Sequence, residues 1–154
     1  MKEYSVIVPE DQFTIINFIQ DNLPGVAAIN TALKNFEPKI VFAWHLSFMI
    51  DLEDLIENGM PSKTERGIID PFGDNLDLEI KGPDFEKPNA LFLGRITWNK
   101  TRELIWRVYD PKSVDNFLKK VIDDNGCQRS FDYKMEYDPD WTMTAWHLGN
   151  HEKK

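Results

Sequence analysis

From residue 39 onward the sequence predicts an α+β domain, with strands and helices in the order βαββαβ. This is a ferredoxin-like antiparallel sheet with helices on one face, preceded by an N-terminal helical extension. Three observations predict it. Apolar residues recur at every second position in KIVFAWHLSFMI, in ALFLGRITW with TRELIWRVY, and in SFDYKMEY. Helix starts are signalled between these runs, by Ser62-Lys63-Thr64-Glu65 and by Pro111. Only Asn99-Lys100 separates the two middle runs, so they should fold back on each other as a hairpin.

The first 38 residues are expected to form a layer packed on the domain. Tyr4 to Val8 suits a short strand. Asp11 to Asn22 places Phe13, Ile16 and Ile19 at helical spacing, and Pro24-Gly25 breaks that pattern. Val26 to Phe36 continues with Ile29, Leu33 and Phe36 three and four apart, which predicts a second helix, with an extended start as the alternative.

The core is expected over residues 39–146. Its first strand puts Phe42, Trp44, Leu46, Phe48 and Ile50 on one face and Val41, Ala43, His45, Ser47 and Met49 on the other. After the Gly59-Met60-Pro61 turn, the Ser62 hydroxyl and the Glu65 carboxylate should each satisfy an orphan backbone donor as a capping box. Asp70-Pro71 predicts a kink or restart within the helix that follows, and Gly82-Pro83 ends it. A further helix, Pro111 to Asp124, turns Val114, Phe117, Leu118 and Val121 inward before Asn125-Gly126. The last strand alternates Phe131, Tyr133, Met135 and Tyr137 against Asp132, Lys134 and Glu136. Residues 147–154 are expected to be a flexible tail, so the chain is one domain.

A two-residue turn at Asn99-Lys100 fixes the hairpin register. Leu91, Leu93, Leu104, Trp106 and Val108 then lie under the helices, while Phe92, Gly94, Ile96 and Trp98 share the open face with Glu103, Ile105, Arg107 and Tyr109. That face would also receive His45 and Ser47 from the first strand and Lys134 from the last. His45, Phe92, Trp98, Glu103, Arg107 and Lys134 are therefore the candidate binding surface, with Trp98 as its anchor.

Composition narrows the function. The 154 residues carry a formal net charge of −8, which repels nucleic acid unless basic groups gather on one face. Stacking of bases would also need a basic rim, and the last strand offers Asp132 and Glu136 there instead. No run is long and apolar enough to span a membrane, and the start lacks the pattern of a signal peptide, so a cytoplasmic location is expected. Cys127 stands alone and can build neither an internal disulfide nor a thiolate metal site. No GxSxG, Walker, GxGxxG, HExxH or CxxC spacing occurs. His147 and His151 are four apart in HLGNH, but Gly149-Asn150 weakens a helix there and no carboxylate motif joins them. No cofactor, no metal and no catalytic residue is assigned. Trp141, after Asp138-Pro139-Asp140, suits a packing anchor that folds the tail back on the domain.

Several short motifs together resemble a known family: Gly59-Met60-Pro61 with Glu65, Leu78 to Gly82, GRITWNKTREL followed by Tyr109-Asp110-Pro111, and YDPDW from Tyr137 to Trp141. They resemble the bacterial domain of unknown function number six-nine-five, over about Pro24 to Trp146. The resemblance implies no activity, substrate or catalytic residue. Members are similar in outline to the small acidic regulator of ribonuclease E activity of the B type, which implies protein binding as the first expectation. Pro71-Phe72-Gly73 within the long helix departs from the pattern.

The expected function is a non-catalytic protein-binding or regulatory module, its partner basic, acting as a monomer or as a homodimer through the outer edge of the Ala90 to Trp98 strand. The alternative is a ligand-binding protein or enzyme for a small or nucleotide-like substrate, with His45 as acid or base and Arg107 as anion clamp. An enzyme should enclose a pocket with His45 at its base, and a binding module should present a flatter, aromatic-rimmed surface.

Overall fold

A computed structural model describes Tyr4 and residues 6–149. Six strands form one antiparallel sheet: β1 (Phe13–Gln20), β2 (Leu23–Asn30), β3 (Trp44–Asp51), β4 (Ala90–Trp98), β5 (Thr101–Val108) and β6 (Phe131–Tyr137). Two helices, α1 (Lys63–Lys81) and α2 (Pro111–Asp123), complete an α+β fold. Across the sheet the order is β1-β2-β4-β5-β3-β6.

The first departure from expectation is the N-terminal layer. Residues 11–30 form no helix but a hairpin, β1 on β2, that adds two strands to the sheet. FTIINFIQ fits a period of two as well as it fits helical spacing. Its one strong helix former is Gln20 at the end, and it is rich in the β-branched and aromatic residues that pack well on a pleated surface. Asp21 and Asn22 at the tip both have positive φ, 53° and 66°, the conformation that matches the twist of a tight hairpin. The expected second helix is reduced to a single 3-10 turn, Thr31–Leu33, after β2. Tyr4 and residues 6–8 form no strand. Tyr4 instead donates its hydroxyl hydrogen to the Pro88 carbonyl at 2.7 Å and meets Phe42 and Tyr109 edge-on.

β3 starts at Trp44, later than the sequence suggests, because Lys39–Phe42 closes into a 3-10 turn. The Ser62 hydroxyl accepts the Glu65 N–H at 3.0 Å, as a helix cap should. The reciprocal half of the box is missing. The Glu65 carboxylate turns away to the backbone of Glu53 and Asp54 and to Arg129. The helix assignment continues unbroken through Pro71, so the expected restart does not occur. Pro71 lacks the N–H that would bond the Gly67 carbonyl, so α1 runs on through that position with one bond fewer.

Both faces of the sheet are covered. α1 and α2 pack Ile69, Leu76, Ile80, Val114 and Leu118 on Leu46, Phe48, Ile50, Leu104, Trp106 and Val108. The opposite face, expected to be open, is covered in its middle by Tyr4, Leu33, Phe36, Phe42 and Trp141 over Leu91, Leu93 and Ile105. Trp141 is buried, in keeping with an anchor. Leu148 also packs against this second core, so the region read as a flexible tail contributes to it.

A β-bulge between Phe92 and Gly94 corrects the hairpin faces. β5 is oriented as expected, and Gly94, Ile96 and Trp98 follow it. Before the bulge the sides exchange, because one extra residue sends every later side chain to the other face. Leu91 and Leu93 therefore belong to the second core, and Phe92 packs edge-on against Trp106, 5.3 Å away on the helix side.

Candidate functional site

At the centre of the second face sits Arg107, fully buried. A buried guanidinium needs partners for its donors, and here four of its five N–H groups have one. Nε donates to the Phe42 carbonyl at 3.3 Å, Nη1 to the Asp138 carboxylate at 3.0 Å and to His45 Nδ1 at 3.0 Å, and Nη2 to the Asp138 carbonyl. The Trp141 ring lies 4.9 Å from the guanidinium carbon, a cation–π contact. Asp138 in turn accepts from the N–H and hydroxyl of Thr142 and from the Met143 N–H. Burial pushes the Asp138 carboxyl up, but the Met143 N–H, the Thr142 hydroxyl and Arg107 outweigh it and hold it below its usual range. Burial first, then the positive charge of Arg107 and the neighbouring His147, pushes the His45 imidazole down to about 4. His45 is thus neutral at pH 7, accepting at Nδ1 and carrying its proton on Nε2.

This geometry corrects three of the expected surface residues, His45, Arg107 and Phe92. His45 and Arg107 are brought together, but as a buried structural cluster with no opening to solvent. Arg107 spends four of its five N–H donors inside the cluster and is fully buried, so it presents no fork to an anion in solvent unless the cluster is taken apart. Phe92 is removed from the candidate surface by the bulge. Lys134 is exposed on β6 opposite Ser47, separated from the others. Trp98 and Glu103 do stay together. Both line a cavity of about 380 Å³ with Met49, Ile96, Phe18 and Trp146. Trp98 donates Nε1–H to the Gln20 carbonyl at 3.0 Å, and the Glu103 carboxylate accepts the Ser47 hydroxyl at 2.5 Å. Phe18 and Trp146 meet edge-on at 5.5 Å and form the far wall.

A second cavity, about 420 Å³, opens on the helix side between α1 and the N-terminal hairpin. Its apolar floor is Phe13, Ile15, Phe92 and Leu104, and its rim carries Asp11, Asp74, Asp77, Lys81, Arg95 and Arg102. Asp77 is occupied by the Trp106 Nε1–H at 2.8 Å and by Lys81 at 3.0 Å. β1 is therefore a shared wall. Phe13 and Ile15 face one cavity, and Phe18 and Gln20 face the other.

β1 is also the terminal strand of the sheet, and among the described residues its outer edge pairs with nothing. The outer edge expected for β4 is filled, since β2 pairs with it from Gly25↔Trp98 to Ile29↔Gly94. Because β1 and β2 are joined by two residues, Gln20 and Leu23 are the bonded pair that closes the hairpin. The backbone groups of Phe18, Ile16 and Thr14 then point inward with those of Gln20, and those of Phe13, Ile15, Asn17 and Ile19 point outward. The two sheet edges differ in chemistry. β6 carries Asp132, Lys134 and Glu136, the charges that discourage edge pairing. β1 carries no charge, and Phe13, Ile15 and Ile19 are exposed on it, Ile19 by 77%.

With this geometry in place, the sequence can be set beside known proteins. A family model described as Family of unknown function (DUF695) matches residues 14–145. The chain belongs to that family. The matched span holds both helices and all six strands except Phe13. No curated protein and no solved structure matches the chain. Among the described residues no group of three or more His, Cys, Asp or Glu could hold a metal ion, and no helix is long and apolar enough to cross a membrane. His151, half of the spacing considered for a metal, lies outside the described residues.

Sequence reasoning missed the hairpin edge, the role of Asp138 and the arginines near α1. The signal for Asp138 was present: an arginine in the middle of an apolar strand needs a carboxylate, and YDPDW supplies one. No comparable signal announced the edge, because the helical reading of residues 11–22 hid it.

Proposed function

We propose that this protein is a non-catalytic, cytoplasmic protein-binding module that takes up an extended segment of its partner along β1. One observation carries the proposal: β1 is an uncharged, eight-residue edge strand whose outer edge pairs with nothing among the described residues and which forms a wall of a cavity on each face of the sheet. Strand addition needs this arrangement, with backbone donors and acceptors along an edge and a recess on either side for alternate side chains. On one side the added strand would meet Phe18, Trp98, Trp146 and the Glu103 carboxylate. On the other it would meet Phe13 and Ile15, with Asp11 and Asp74 beyond them. Acceptors and carboxylates on both sides, in a chain of net charge −8, favour a segment that alternates apolar and basic residues. We read the underlying scaffold as a ferredoxin-like unit, since β3-α1-β4-β5-α2-β6 places its strands in the order β4-β5-β3-β6. The hairpin extends that unit and moves the free edge from β4 to β1.

The test is selection of binding dodecapeptides from a random displayed library, followed by amide exchange of the complex. The selected peptides should alternate apolar and basic residues, and they should slow exchange at Phe13, Ile15, Asn17 and Ile19. Asn17→Pro removes one outward donor without breaking a bond to β2, and Ile15→Lys places a charge at a site 58% exposed. Each should keep the fold and weaken peptide binding at least tenfold. Peptides that bind Asn17→Pro as tightly as the native chain would overturn the proposal. So would a native dimer whose four outward amides are already protected without peptide, since the edge would then serve a second copy.

A further inference from the structure

The chain has five arginines, and two of them are committed to the fold. Arg107 is filled by His45, Phe42 and Asp138, and Arg129 holds Glu65 in a two-bond fork at 2.7 and 2.8 Å. The other three, Arg66, Arg95 and Arg102, converge on one cleft of about 290 Å³ beside the N-terminal half of α1. From these observations we infer that this cleft binds the phosphate group of a small phosphomonoester, whose body extends into the adjoining cavity under α1.

Three observations support the site. The first is gathering of like charge in a chain with an acidic excess, where separation of cations would cost least. Arg102 is buried to 4% exposure, bonded through Nε to the Thr97 hydroxyl at 3.2 Å and ion-paired through Nη1 with Asp70. Burial first, then repulsion from Arg95, lowers its affinity for the proton, with Arg66 adding to that repulsion and Asp70 opposing it. The second is availability. Arg66 spends one hydrogen bond on the Pro61 carbonyl, at 3.3 Å, and the Arg95 side chain makes no hydrogen bond or ion pair among the described residues. Guanidinium forks are suited to phosphate oxygens, which accept paired bonds from them. The third is shape. Val26, Ala28, Met60 and Pro61 give the cleft an apolar wall, and it shares Ala28, Arg95 and Arg102 with the larger cavity. That cavity combines an apolar floor with the carboxylates of Asp11 and Asp74, acceptors for hydroxyl or amino groups on the ligand's body. The arginine cleft lies off the β1 edge, but the ligand's body would share the cavity walled by Phe13 and Ile15 with a segment added to β1; phosphate affinity lost in Arg95→Gln and peptide affinity lost in Asn17→Pro are separate readouts, so either proposal can fail without the other.

The experiment is isothermal titration calorimetry of the full chain with inorganic phosphate, adenosine 5′-monophosphate, glucose 6-phosphate, adenosine and glucose. At least one phosphomonoester should bind tenfold or more tightly than inorganic phosphate, and the two unphosphorylated compounds should not bind. Arg95→Gln, at an exposed residue whose side chain has no hydrogen-bond or ion-pair partner among the described residues, should cut that affinity at least tenfold with an unchanged far-ultraviolet circular dichroism spectrum. Asp74→Asn should weaken the phosphomonoester and leave inorganic phosphate unaffected. Failure of both phosphomonoesters to exceed inorganic phosphate, or binding that Arg95→Gln leaves intact, would overturn the inference.

Discussion

Replacing Glu65 with Gln should destabilise this protein more than any other change of one charged atom group in it. The Glu65 side chain is fully buried. It accepts the backbone N–H groups of Glu53 and Asp54 at 2.9 and 3.1 Å and both prongs of the Arg129 guanidinium. It thereby ties the start of α1 to the loop after β3 and to the segment that leads into β6. Glutamine keeps the shape but turns its amide donors toward N–H groups, and it leaves Arg129, whose side chain is 11% exposed, with Glu53 at 3.5 Å as its one remaining carboxylate among the described residues, beside the Gln128 carbonyl at 3.0 Å. Breaking one partner of a buried pair costs about 3–5 kcal/mol, whereas an exposed pair would lose at most about 1. With a urea dependence of about 1–3 kcal/mol per molar, the midpoint of unfolding at pH 7 should fall by about 2 M. A loss below about 1 kcal/mol would refute the reasoning and mean that water serves these groups. The pH dependence gives a second check. Hydrogen bonds from Arg129, then from the Glu53 and Asp54 N–H groups, hold the Glu65 carboxyl down at about 2 against an ordinary 4.5. Its stabilisation is complete above the ordinary value and is lost as pH falls from there through about 2. The gap between the native chain and Glu65→Gln should close over that window, since protonated Glu65 resembles glutamine.

Two further changes test the sheet. His45, held at about 4 instead of 6.5, makes the folded chain refuse a proton that the unfolded chain accepts, so stability should fall as pH drops from 6.5 toward about 4. Imidazole resonances that titrate near 6.5 would show that the Arg107 cluster opens to water. Gly94→Ala at the β-bulge should cost about 1–3 kcal/mol in thermal or urea unfolding, because the new methyl carbon would stand 2.9 Å from the Ala28 carbonyl and 2.8 Å from the Ile29 side chain. An unchanged midpoint would mean that β2 can shift away from β4 without loss.

The sequence by itself determined the elements whose signals are local. Strict alternation fixed β3, β5 and β6, and Ser62 and Pro111 marked the starts of α1 and α2 where the structure has them. Family membership was legible in short motifs, and Trp141 as an anchor followed from a large aromatic after a turn. The tertiary structure decided whatever depends on a partner distant in sequence. FTIINFIQ satisfies two periods, and only pairing of β2 with β4 selects the strand. The bulge at Phe92 to Gly94 exchanges the faces of β4, yet it adds no residue type that alternation would reveal. Arg107 and His45 read as a surface pair because they sit mid-strand on the face away from the helices. They are buried because residues 33–42 and 138–148, from opposite ends of the chain, close over them and bring the Asp138 carboxylate that makes a buried arginine tolerable. The hairpin already sets Arg95 diagonally beside Arg102, but Arg66 lies on α1, and only the packing of that helix on the sheet brings it to the other two.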